Sequence, residues 1–334
     1  MNTYTLASKK SKASPIFEEF INRYKLSNRA EGKSEKTIQW YDEILKSFDV
    51  YLKNKGNSNG ISCLNMENAR EYILYLRNKP KFEGHPFIPT QKETLSPQTL
   101  RCHTRGLKAF STWLFLNEYT PENNLKNLRL PKAPMILIEP LTPEEITKIS
   151  SSIDQNTPTG VRNYTIFATA LDNGLRASEI TGITLGQFNS KDGYIKVMGK
   201  GAKERIVPVG EFVKMRLWHY IEKVRPEPSG LENDKLFLSR DGKPITVNAI
   251  KLVFTRLAKG SGVNRLHAHL CRHTFAINYL LNGGDIFSLK EILGHTTLDM
   301  VNHYLHFTSA QITAQHHKYS PMDKLQSEIK KSDK

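Results

Sequence analysis

Apolar residues recur from Pro15 onward at the i, i+3, i+4 spacing of one buried helical face: Ile16, Phe17, Phe20, Ile21 and Tyr24. Ser34, with Thr37 three residues on, opens a second amphipathic stretch carrying Ile38, Tyr41, Ile44, Leu45, Phe48 and Leu52. The Asn- and Ser-rich run from Gly56 to Gly60 breaks it, a third helix covers about Met66 to Arg77, and three prolines and a glycine make 79–94 a loop. Ser96-Pro97 is a cap followed by proline at the first helical position. The helix it opens carries Leu100, Leu107, Phe110, Trp113 and Leu114, with Arg101, Arg105 and Lys108 among its polar positions. These elements predict a small all-helical domain over 14–125, after a polar, basic start over 1–13 that reads as disordered.

Five prolines between Pro121 and Pro143 predict an extended, semi-rigid linker, placed at 126–141. Thr142-Pro-Glu-Glu145 then begins a second domain, 142–308, with a cap, a first-turn proline and acids at the positive end of the helix dipole. Helices run to about Leu185. Tyr194–Met198 and Glu204–Val209, split by Gly199-Lys-Gly-Ala-Lys203, read as a β-hairpin with a basic turn. Helical pattern returns afterwards, with a short strand expected at Lys235 to Leu238. The expected fold class is mainly α with a small antiparallel β-sheet. In the tail, 309–334, the apolar residues Ile312, Tyr319, Met322 and Leu325 are too sparse for a core of their own.

Composition narrows the function. Hydrophobic residues make up 38% and charged residues 24% of the 334, as in ordinary globular chains. No run reaches the ~18 apolar residues of a membrane span, and the first residues lack the apolar core of a secretory signal. Cys63, Cys102 and Cys271 are too few and scattered for a disulfide framework, so the expected location is cytoplasmic. Net charge is +15, and it is not confined to a tail: residues 1–139 hold 22 basic and 14 acidic side chains, residues 140–334 hold 26 and 19. Two separately basic halves point to a polyanion held between them, with nucleic acid first in line.

The histidines invite a metal site, at His267, His269, Cys271 and His273 and at His295, His303 and His306. None of these has the paired spacing of a zinc finger or the Glu-bearing i, i+4 pair of a zinc hydrolase. Gly199-Lys-Gly201 is too short for a phosphate loop and does not precede a helix. A different constellation is far more specific. Ala170-Leu-Asp-Asn-Gly-Leu-Arg176-Ala-Ser-Glu179 is followed by Lys200, then His269-Leu-Cys-Arg272, Leu293-Gly-His295 and Tyr304. In type, order and spacing this set resembles the tyrosine recombinases of the phage-integrase family, DNA strand-exchange enzymes. Ser34 to Phe48 and Ser96 to Leu116 look like that family's core-binding helices, so the resemblance spans about residues 15–310.

The resemblance implies a simple, Xer-like recombinase with a SAM-like core-binding domain and a catalytic domain clamping double-stranded DNA. It implies Arg176, Lys200, His269, Arg272, His295 and Tyr304 as the catalytic set, with Tyr304 the nucleophile, no metal and no cofactor. The residue types suit the chemistry. Two guanidinium forks, Arg176 and Arg272, match the oxygens of a phosphate whose charge grows in the transition state. A tyrosine of pKa about 10 needs its proton accepted, the role the family gives His269. Lys200 on a hairpin turn can protonate the leaving 5′ oxygen, and His295 can donate to the phosphate. A phosphotyrosine bond conserves the energy of the broken diester, so no high-energy cofactor is required. Glu179 is expected to orient an arginine or a helix end. Arg101, Arg105, Lys108, Lys203 and Arg205 are candidate DNA contacts. The implied assembly is a homo-tetramer on two DNA sites, with the tail passed between protomers. Two other readings stand beside this one: a type IB topoisomerase-like nicking enzyme, and a non-catalytic DNA-binding protein of the same fold.

Overall fold

Capping fixes where most of the helices begin, and burial fixes which face of each turns inward. The computed structural model describes residues 17–56, 60–84, 87–134, 138–199, 204–230 and 234–294, together with 316, 319–323 and 325. Lys200, Lys203, His295 and Tyr304 lie outside the described residues, as do the start over 1–13 and most of 309–334. The chain divides between residues 136 and 137 into two compact units.

In the first unit, α1 (Phe17–Ala30), α2 (Glu35–Asn54), α3 (Met66–Asn78) and α4 (Pro97–Leu116) surround one core. Ser34, Asn65 and Ser96 cap α2, α3 and α4, each side-chain oxygen accepting from the amide three residues on. Each cap satisfies a donor that the helix itself leaves unpaired. The core is aromatic. Phe110 is fully buried, with ring centroids of Phe17 at 5.6 Å and Tyr24 at 5.3 Å in tilted or edge-on contact. The loop over 79–94 is closed by a bridge between Pro80 and Thr94.

The described part of the segment after α4 is fastened to its surroundings by side chains. Leu125 and Leu128 are buried in the first core, and Leu141 in the second. The Lys108 ammonium donates to the carbonyls of Lys126 and Leu128, and Arg101 donates to that of Pro131. Two cations of α4 thus hold the following backbone through its carbonyls, and Leu125 and Leu128 anchor it in the first core.

In the second unit, α5 (Pro143–Ser151) starts with a reciprocal capping box between Thr142 and Glu145. The central α6 (Pro158–Asn173) packs against α10 (Ala268–Leu281), and α7 (Ala177–Gly182) follows α6 after a tight turn. Strands β1 (Phe188–Asn189), β2 (Tyr194–Met198) and β3 (Glu204–Pro208) form an antiparallel sheet in that order. Ile195 lies opposite Val207, and Val197 opposite Arg205. Ile195, Val197 and Val207 face the core, so period-2 alternation puts Arg205 on the inward face as well. Next come α8 (Glu211–His219), α9 (Val247–Ser261) and α11 (Ile286–Leu293), with α10 between the last two.

The expected fold class and both hairpin strands are present, with β1 added as a third strand. Residues 235–238 are not a strand: they make single bridges only, Lys235 to Thr184 and Leu238 to Pro244. Leu236, Phe237 and Leu238 are all buried, so the apolar run that resembled a strand fills the core as irregular chain. Among the described residues, no helix is long and apolar enough to cross a membrane.

Candidate active site

Helix α6 ends at Gly174, whose φ of +60° lies in the left-handed region. A Cβ there would stand 2.6 Å from a ring carbon of Phe275 and 2.8 Å from a methyl of Leu293, so both conformation and space demand glycine. The chain leaves this turn into Arg176, which is extended and forms the N-cap of α7. Glu179, in the first turn of α7, accepts from the Arg176 amide and from its Nη1, both at 2.8 Å. The same carboxylate accepts a fork from Arg205 on β3, at 2.9 and 3.0 Å. Burial alone would push the Glu179 carboxyl up; the Arg205 fork, the Arg176 amide and the two positive charges outweigh it and hold the group below the usual range.

Arg272, on α10, is 0% exposed. Its Nη1 donates to the Gly174 carbonyl and its Nη2 to that of Leu293, each at 2.7 Å, and Nη1 stands 3.9 Å from Glu179. The expected pair of outward forks is therefore asymmetric. Arg176 keeps its side chain 32% exposed, whereas Arg272 is enclosed beneath it. The enclosure has a cause: the carbonyl ending α11 sits at the negative end of a helix dipole, and the Gly174 turn aims a second carbonyl at the same cation. His269, in the first turn of α10, keeps an exposed edge. Partial burial, followed by the charges of Arg272, His267, Arg176 and His273, lowers its pKa, which places the ring in the field of both arginines.

The neighbouring histidines have other partners. His267 Nδ1 bonds the Arg265 carbonyl, and His273 Nε2 that of Ile138. Cys271 is enclosed, and burial pushes its thiol up. Among the described residues, no group of three His, Cys, Asp or Glu side chains is arranged to hold a metal ion.

Of the candidate DNA contacts, Arg105 is exposed. Lys108 and Arg101 are turned onto the carbonyls of the following segment, as described above. Arg205 is turned inward. Its side chain is 11% exposed, and besides the fork to Glu179 its Nε donates to the Ile292 carbonyl at 2.7 Å. It faces inward because it alternates with Val207, a signal available in the sequence. Two further residues were not singled out. Asp172 accepts from the Gly210 amide, with burial pushing its carboxyl up, and Asn173 donates to the Pro208 carbonyl. Together they fasten the end of α6 to the end of β3. Their signal was a polar pair closing the apolar second half of the helix.

Comparison with known proteins identifies the family. Residues 139–311 match the model of the phage integrase family. The chain is 26% identical over 293 residues to tyrosine recombinase XerD of Listeria innocua, covering 87% of this chain and 94% of that protein. It is 29% identical over 282 residues to tyrosine recombinase XerC of Chlamydia muridarum, covering 82% and 88%. In fold it is similar to the Tn1549 transposon integrase, with a TM-score of 0.70 at 20% identity over 90% of this chain and 99% of that one. A match over more than half the length, enclosing the Arg176 turn, the hairpin and α10, settles the family: the chain belongs to the phage integrases and is a site-specific tyrosine recombinase, an enzyme that breaks and rejoins DNA.

Proposed function

We propose that Tyr304 attacks the scissile phosphate of double-stranded DNA, forming a 3′-phosphotyrosyl bond as the bond to the 5′ oxygen breaks. The tyrosine proton passes to His269, and Lys200 gives a proton to the departing 5′ oxygen. A 5′ hydroxyl from a second strand then reverses the step, giving a Holliday junction. Arg176 meets the phosphate from the exposed side and Arg272 adds positive charge from beneath, where little water screens it. His295 donates to a phosphate oxygen. A lowered pKa suits His269 for its part, because the ring is neutral and able to take a proton at neutral pH.

The observation that carries this reading is the Arg176–Glu179–Arg272 arrangement. Three guanidinium groups, those of Arg176, Arg205 and Arg272, are held around a single carboxylate, and of these Arg176 keeps the most exposed side chain, at 32%. The relatives extend the reading: XerH is bound to its difH substrate, and the Tn1549 integrase to circular-intermediate DNA. We assign the first unit to core binding and the second to catalysis, acting in the cytoplasm as a homo-tetramer on two sites with the segment 309–334 exchanged between protomers. Both topoisomerase-like nicking and non-catalytic binding fit less well, because the match to Xer recombinases runs through both units.

Tyr304→Phe removes only the attacking oxygen. On a nicked suicide substrate the variant retains site binding and gives no denaturant-resistant adduct, whereas Tyr319→Phe gives as much as wild type. Adduct formed by Tyr304→Phe, or lost in Tyr319→Phe, overturns the assignment.

A further inference from the structure

Arg205 joins three parts of the second unit that lie far apart in sequence. It belongs to β3, the strand that begins four residues after Lys200. Its fork closes on Glu179, the carboxylate that also holds the Arg176 amide and guanidinium. Its Nε takes the Ile292 carbonyl, three residues before His295. Its side chain also lies against Gly294, where φ is +63° and a Cβ would come within 3.0–3.2 Å of Arg205 Cδ, Nε and Cζ. Arg272 also spans the Gly174 turn and the end of α11, from α10; Arg205 adds the hairpin strand β3 to that connection. A lysine could not reproduce this, since it lacks a planar set of donors that reach two acceptors in fixed directions.

We propose that Arg205 is a positioning residue that makes the placement of the hairpin and the orientation of Arg176 a single event. With the guanidinium in place, the base of the hairpin, the Arg176–Glu179 turn and the end of α11 are locked together. Without it, Glu179 still holds Arg176, but β3 loses its tie to both other segments and the general acid is delivered less often. The proposal rests on the assignment of Lys200 as general acid, and it reverses the expectation that Arg205 contacts DNA.

The test uses the full chain with Arg205→Met and Arg205→Lys, the second keeping a positive charge beside Glu179 in case the first does not fold. Three quantities are read: half-site affinity, single-turnover cleavage of a normal suicide substrate against one whose scissile 5′ oxygen is sulfur, and amide hydrogen exchange across Lys196–Val207. Sulfur leaves without a proton, so it bypasses the acid. The expected result is affinity within about threefold of wild type, cleavage of the oxygen substrate down about 100-fold, and at least tenfold of that recovered on sulfur. Exchange in β2 and β3 rises about tenfold or more at unchanged melting temperature. Arg205→Lys lies between Met and wild type in cleavage. Equal losses on oxygen and sulfur with unchanged exchange would overturn the proposal, and so would an affinity loss as large as the cleavage loss, which marks a DNA contact. Lys200→Ala is run alongside. If it is not rescued by sulfur, the general-acid assignment fails, and the exchange measurement alone then decides whether Arg205 holds the hairpin.

Discussion

The two units bury different things. In the first, the large enclosed side chains are rings and aliphatics, among them Phe48, Tyr72, Phe110, Ile38 and Leu45. Its buried amides and hydroxyls complete nearby backbone: Asn28 donates to Tyr24, Asn68 to Cys63, and Thr104 to Leu100. Its buried carboxylate, Asp49, reaches out to exposed Lys53. In the second unit the largest fully enclosed side chain is a cation, Arg272, with Glu179 and Arg205 nearly as deep. Enclosing charge is costly unless every group finds a partner. A fold stabilised only by apolar packing has no need of it, so the difference marks where the chain gives up easy stability to fix a set of donors in space.

Three measurements sharpen or break this contrast. The largest effect is expected from Phe110→Ala, which opens a ring-sized cavity in the first core and costs about 3–5 kcal/mol in urea unfolding. Cleavage per bound complex stays within about twofold of wild type, because the site lies in the other unit. A loss below about 1 kcal/mol would show that the aromatic cluster is not what holds that unit together. Next is Arg272→Met, an apolar replacement of similar length. Loss of one donor to developing charge lowers cleavage about 10²–10³-fold. Stability falls less than in Phe110→Ala, because the cost of enclosing a charge disappears along with it. Undiminished cleavage, or a stability loss equal to that of Phe110→Ala, would make Arg272 an ordinary core residue.

The smallest effect concerns pH. A pKa lowered in the folded chain means that His269 stays neutral as pH falls through the ordinary histidine value of about 6.5 and takes up its proton only below it. The acid limb of the second-order cleavage rate therefore lies below that value, and His269→Gln abolishes the limb. A limb at or above 6.5 that survives in His269→Gln would remove the ring from the proton pathway.

What the sequence disclosed was mostly local. Ser34, Ser96-Pro97 and Thr142-Pro-Glu-Glu145 announce helix starts because a cap and its amide are three residues apart. The role of Glu179 was legible for the same reason, since it stands three residues from the Arg176 amide it accepts from. The partners of Arg205 were not legible because they stand 26 and 87 residues away, and a basic residue beside a basic turn resembles a phosphate contact. The carbonyl partners of Lys108 and Arg101 were hidden in the same way, since a helix pattern shows that a side chain is polar but not that a later segment brings carbonyls to it. Residues 235–238 failed for the opposite reason: a short apolar run looks alike whether it joins a sheet or fills a core.

The turn at Gly174 also has a genetic consequence. Every missense change reachable from a glycine codon by one base substitution installs a Cβ, and here that atom would lie 2.6 Å from Phe275 in a backbone conformation that side-chain-bearing residues avoid. Codon 174 therefore has no graded alleles: in a random mutant library, survivors selected for recombination should carry only synonymous changes there. Exposed codons such as that of Glu222, which no part of the site touches, should drift freely in comparison.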